Sequence, residues 1–257
     1  MKFLLVFGLV SIVSSYSEGE LPILYPPQAT SNSRIVGGDN AEDGQAPFQC
    51  SMQSNKRHFC GCALISSEWI VTASHCVSGQ RPEHLEILVG TNNLKEGGTY
   101  YKVENYIKHP KFNKPNFAND IALMRVKGSI TLNKSVQSIE FSPNEVPENS
   151  TLQLTGWGRL KANGALPQRL QIIKLKSIST KNCKKIYNNR NVHDSHLCTF
   201  NKRGQGACNG DSGGPLVFDN KLVGIVNWGV PCAAGFPDAF AKVSYLYEWL
   251  QETITNN

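Results

Sequence analysis

Gly204-Gln205-Gly206-Ala207-Cys208-Asn209-Gly210-Asp211-Ser212-Gly213-Gly214-Pro215 is the stretch that decides how this chain is read. It sets one serine, Ser212, among glycines and directly after an aspartate. Glycine on either side permits a tight turn and a close approach by another chain. The N–H groups of Gly210 and Ser212 can then converge beside the serine hydroxyl, as an oxyanion hole requires. Gly210 to Gly214 also fits the looser G-x-S-x-G pattern of a different hydrolase architecture, and a glycine-rich surface turn would fit it too. The choice falls to the other residues.

A serine nucleophile needs a base to take its proton and a group to orient that base. In the α/β-hydrolase order the histidine follows the serine, but here the last histidine is His196, so that order is excluded. His75 ends the apolar run Trp69-Ile-Val-Thr-Ala-Ser-His-Cys76, beside a cysteine whose disulfide would hold the ring still. His84, His109, His193 and His196 lie among polar turn residues and read as solvated, and His58 lies near a turn. Between His75 and Ser212 stand only Asp120, Asp194 and Asp211. Asp194 lies in a polar run, and Asp211 adjoins Ser212 with its side chain expected to point elsewhere. Asp120 opens the apolar strand Ile121-Ala-Leu-Met124, where burial would sharpen its hold on an imidazolium. His75, Asp120 and Ser212 are therefore the candidate triad.

The 257 residues suit one large β domain or two small ones. Lys2, the apolar run Phe3 to Val10 with Ile12 and Val13, then Ser14 and Ser15 predict a cleaved secretory leader over 1–15. No later apolar run approaches the length of a membrane span. Secretion means that the eight cysteines should pair, and no Cys–His cluster has zinc-finger spacing, so neither metal nor cofactor is expected. The formal charge of +6 is unchanged by losing residues 1–34, which hold Lys2, Arg34, Glu18 and Glu20. The basic cluster Lys181, Lys184, Lys185 and Arg190 reads as a solvated face, without the interleaved aromatics of a nucleic-acid platform. Residues 16–34 hold three prolines and end Asn32-Ser-Arg34 before Ile35-Val-Gly-Gly38, the look of a cleavable propeptide; a plain linker is the alternative.

Beyond that point, short apolar runs alternate with turn residues. Strands are expected over 48–53, 59–65, 69–73, 85–89, 121–126, 152–155, 171–175, 215–218, 222–228 and 239–243. The proline-bearing stretch 141–150 reads as a boundary. Only the end has helical spacing, with Tyr245, Leu246, Trp249, Leu250 and Ile254 on one face from about Ser244. Two barrels and a terminal helix suit this better than a sandwich, though spacing alone does not choose.

At this point the sequence resembles the trypsin/chymotrypsin family of serine endopeptidases. Ile35-Val-Gly-Gly, Thr72-Ala-Ser-His-Cys76, Asn119-Asp-Ile-Ala-Leu123, Gly156-Trp-Gly158 and Gly210-Asp-Ser-Gly-Gly-Pro215 occur in the family's order. The resemblance implies an all-β fold of two antiparallel six-stranded barrels with a C-terminal α-helix, the first barrel over about 35–140 and the second over about 141–257. It implies a zymogen cut between Arg34 and Ile35 by a trypsin-like protease, whose new Ile35 amine pairs with Asp211 and orders Gly210. It carries over the disulfides Cys60–Cys76, Cys183–Cys198 and Cys208–Cys232. Cys50 and Cys62 lie outside the family's core pattern. Folding 48–53 back on 59–65 about Lys56 sets them opposite each other, which predicts a fourth bridge.

The resemblance also locates the primary specificity pocket. Gly206 stands at its base, where a trypsin has aspartate, and Gly229 after Asn227-Trp228 leaves the mouth open, so a large apolar or aromatic P1 is expected. Asp238 departs from the usual wall glycine, as in some arthropod chymotrypsins and broad-specificity collagenolytic relatives, and offers a route to basic P1. Asn227 replaces a usual serine and is expected to hydrogen-bond Asp120, while Phe117 should narrow the neighbouring subsite. One carboxylate, Glu96, in the loop 91–99 argues against calcium. Asn133-Lys-Ser and Asn149-Ser-Thr are glycosylation sequons. The expected partners are protein or peptide substrates, the activating protease and protein protease inhibitors. A secreted monomer is expected, with no nucleic acid and no membrane as partners. The rival class, an inactive family member serving as a binding module, would typically have lost a triad residue.

Overall fold

The computed structural model describes residues 35–230 and 232–257, so the expected leader, the propeptide and Arg34 lie outside the described residues. Thirteen strands run through the described chain, beginning with β1 (Asp39–Asn40). Next come β2 (Gln49–Ser54), β3 (Arg57–Leu64), β4 (Trp69–Thr72), β5 (Leu85–Val89), β6 (Thr99–Lys108) and β7 (Ala122–Val126). These six close into an antiparallel barrel in the order β2-β3-β4-β7-β6-β5. The rest are β8 (Thr151–Gly156), β9 (Gln171–Ile178), β10 (His196–Thr199), β11 (Pro215–Phe218), β12 (Lys221–Gly229) and β13 (Asp238–Lys242). They form a second six-stranded barrel, β8-β9-β10-β13-β12-β11, closed by pairing of β9 with β8. Closure removes the unpaired edges that short strands would otherwise present.

The β2–β3 hairpin shows how local chemistry sets register. Asn55 and Lys56 both adopt positive φ (51° and 60°), giving the two-residue mirror-image turn that suits a hairpin's twist. Ser54 therefore pairs with Arg57, half a residue away from symmetry about Lys56. A bulge between Met52 and Gln53 restores the expected register, so Cys50 pairs with Cys62. Their Cα atoms are 4.9 Å apart and the fourth bridge is formed. The other three also pair as expected, Cys60–Cys76, Cys183–Cys198 and Cys208–Cys232.

Several elements depart from expectation. Residues 35–40, assigned above to the first barrel, belong with the second: β1 pairs with β9, and the Ile35 side chain is fully buried among Leu152, Leu154 and Leu216. Two short helices were not expected, the single turn α1 (Ser74–Val77) and α2 (Thr180–Ile186); Ser179 caps the Asn182 N–H of α2, and only Cys183 is buried there, so it leaves no apolar period. β6 was missed because most of its residues face solvent and only Val103 is buried. The terminal helix α3 (Val243–Thr255) buries Val243, Leu246 and Leu250, whereas Tyr245, expected on that face, is exposed.

Candidate active site

The two barrels meet where β3 crosses the Ser212 loop. The Gly61 N–H donates to the Ser212 carbonyl at 2.7 Å. A Cβ on Gly61 would come 2.8 Å from Gly214 Cα, and one on Gly213 would collide with the Thr72 hydroxyl and the Gly61 carbonyl. Glycine at these places allows the Ser212 loop to lie against the end of β4. That strand end leads through Ala73 into the single helical turn Ser74–Val77 that carries His75.

His75 is gripped at two points. Its backbone N–H donates to Asp120 Oδ1 at 2.8 Å, and its Nδ1 lies 2.5 Å from Asp120 Oδ2. Ser74 Oγ donates to the Ile121 carbonyl at 2.6 Å, tying the same turn to the segment after Asp120. Asp120 is wholly buried, so its charge is turned toward the imidazole rather than shared with water. This fixes the ring with Nδ1 protonated and Nε2 free to accept a proton. Among the described residues no hydrogen bond joins Ser212 Oγ to His75 Nε2; such contacts often tighten only with substrate bound.

Gly210 adopts φ 103°, a conformation open to glycine and costly for other residues. Its carbonyl is met by His58 Nε2 at 2.9 Å, while His58 Nδ1 meets Ser51 Oγ at 2.8 Å. Burial pushes the His58 imidazole down to about 4, so the ring is neutral at ordinary pH. The N–H groups of Gly210 and Ser212 find no acceptor among the described residues, as two donors reserved for a ligand would.

Asp211 points away from Ser212 into the second barrel. It is wholly buried and accepts from the Gly158 N–H at 2.7 Å and the Cys208 N–H at 2.9 Å. A Cβ on either Gly156 or Gly158 would collide with its carboxylate, which gives the Gly156-Trp-Gly158 pattern a physical reason. Burial raises the Asp211 carboxyl to about 6 despite these two donors. No cation faces it among the described residues.

A cavity of about 280 Å³ opens beside Ser212, walled by Val226 to Val230, Ala207, Cys208, Phe117 and Asp238. Gly206 is not in its wall, because the Asp238 carboxylate lies over it. A Cβ on Gly206 would collide with Asp238 Oδ2, and one on Gly229 would come 2.8 Å from Asp238 Oδ1. The two glycines make room for this carboxylate, and Asp238 itself forms the floor. Its Oδ2 accepts the Ala207 N–H at 2.8 Å. Burial, helped by the nearby Asp211 charge, raises Asp238 to about 7.

Two expectations are corrected. Asn227 does not donate to Asp120; its Nδ2 donates to the Phe117 carbonyl at 3.0 Å. His196 is not solvated but fully buried, with Nε2 3.0 Å from that same carbonyl. Neither was legible, because the polar run around His196 and the strand position of Asn227 say nothing of a cross-barrel partner. His58 was missed for the same reason.

Comparison with known proteins agrees with this geometry. The family described as Trypsin matches residues 35–250. The chain is 38% identical over 219 residues to a chymotrypsin-2 of Vespa crabro, covering 85% of this chain and 99% of that one. It is 32% identical to a trypsin of Phaedon cochleariae over 98% of both chains. A vitellin-degrading protease of Bombyx mori is 36% identical over 90% of this chain and 89% of its own.

Proposed function

The chain belongs to the trypsin family of serine endopeptidases, and on that premise we propose that His75, Asp120 and Ser212 are its catalytic triad. Ser212 Oγ attacks the scissile carbonyl while His75 Nε2 takes its proton. The oxyanion is held by the N–H groups of Gly210 and Ser212. His75 then hands the proton to the leaving amine, and water repeats the sequence on the acyl-enzyme. The two-point grip of buried Asp120 on His75 is the observation that carries this reading.

The enzyme is made as a secreted zymogen and activated by cleavage between Arg34 and Ile35. Ile35 already lies buried in the second barrel, and Asp211 is a buried carboxylate with two N–H donors. Its partners are protein substrates, a trypsin-like activator and protein inhibitors, and it acts as a monomer. Among the described residues no helix is long and apolar enough to cross a membrane.

The preferred P1 is a large apolar or aromatic side chain. The mostly apolar cavity, and a floor carboxyl that keeps its proton up to about neutrality, support this. A second reading, basic P1, is favoured by the same carboxyl once it ionises. Comparing kcat/KM for matched Phe, Leu and Arg substrates at pH 6.0 tests the preference; Arg equal to Phe at that pH would overturn it.

A further inference from the structure

We infer that His196 and Asn227 are positioning residues, which act through Phe117 to hold the His75 imidazole in place. The inference rests on the triad reading above. Phe117 sits three residues before Asp120 and has φ 53°, the left-handed region that a bulky side chain occupies only under constraint. Its ring meets the His75 ring edge to face, with centroids 5.8 Å apart and planes at 84°. The same residue helps to wall the cavity beside Ser212.

The constraint comes from the other barrel. The Phe117 carbonyl accepts Asn227 Nδ2 and His196 Nε2, both at 3.0 Å. A third bond, from the Asn119 N–H to Ser195 Oγ at 3.3 Å, holds the residue just before Asp120. Both carbonyl-binding side chains are buried, so water cannot readily replace either bond. The His196 tautomer is fixed too: its Nδ1 accepts the His193 N–H at 3.0 Å, which leaves the proton on Nε2, facing Phe117. Burial lowers its basicity, so it remains a neutral donor at the pH of catalysis. Two second-barrel side chains thus clamp a strained first-barrel carbonyl whose own ring packs on the base. Removing a donor lets Phe117 relax toward an ordinary φ and withdraws its ring from His75.

The test is a double-mutant cycle on the activated enzyme, with turnover expressed per active site titrated by a phosphonate. His196→Leu and Asn227→Ala should each lower kcat by about fivefold, with KM changing less than kcat. His196→Gln, which retains a side-chain N–H, should recover activity to within about twofold of the parent. In a Phe117→Ala background neither substitution should cost more than about twofold. Equal losses in both backgrounds, or a His196→Gln no better than His196→Leu, would overturn the inference. Should His196→Leu not fold, the Asn227→Ala arm decides alone. Failure of the triad reading is distinguishable, because the parent enzyme would then take up no phosphonate at Ser212.

Discussion

Replacing Asp238 with asparagine should flatten a pH dependence of substrate preference that the native enzyme carries. The perturbation is small in shape: the amide oxygen can still accept the Ala207 N–H now bound to Oδ2. What it removes is the titration, because the native carboxyl changes charge at about 7. A group with that value is about one-tenth ionised at pH 6 and about nine-tenths at pH 8. An arginine side chain reaching the floor would gain several kcal/mol from the ionised form at about 4 Å and an effective dielectric of about 20. Arginine cleavage should therefore follow the ionised fraction. Any pH effect on the catalytic steps common to phenylalanine and arginine substrates cancels in their ratio. The ratio of kcat/KM for Arg over Phe should thus rise about tenfold from pH 6 to pH 8, and kcat/KM reports the free enzyme. On the proposed activation, an Ile35 ammonium beside Asp211 would relieve the repulsion that Asp211 exerts on Asp238 and move the midpoint somewhat lower. A ratio constant within twofold from pH 5.5 to 8.5 would refute the reasoning, as would an equal rise in the Asp238→Asn enzyme.

Asp211→Asn should lower kcat/KM by about two to three orders of magnitude through a disordered oxyanion hole, while Ser212 remains in place; native-like activity in the cut variant would contradict this. Replacing both Cys50 and Cys62 with serine removes a bridge of sequence separation 12. It should cost about 3 kcal/mol, read as a melting temperature lower by roughly 5–10 °C with kcat unchanged. Gly213→Ala places a Cβ against the Thr72 hydroxyl and the Gly61 carbonyl at φ 78°. It should yield a folded protein with little or no turnover, and wild-type kinetics would show that the close barrel contact is dispensable.

The proposed triad needed only order and counting: no histidine after Ser212, and three aspartates between it and His75, two of them poorly placed; of its contacts, the structure shows the one between His75 and Asp120. The Cys50–Cys62 bridge was legible from hairpin symmetry, although the true register depends on a mirror-image turn at Asn55-Lys56 offset by a bulge. What stayed hidden was the pairing of buried polar groups across the barrels. His196 and His58 sit in polar stretches, and their burial follows from which strand lies opposite. Asn227 was assigned to Asp120 by position, yet its amide reaches Phe117 instead. Asp238 was flagged in the sequence, but the side chain's reach across both Gly206 and Gly229 required coordinates.

The most direct test of the central claim is intact-mass and peptide analysis after treating the cut enzyme with an aromatic organophosphonate. One adduct per chain is expected, on Ser212, absent from Ser212→Ala and strongly slowed in His75→Ala. A correctly cut, folded chain that takes up no label, or takes it elsewhere, would contradict it.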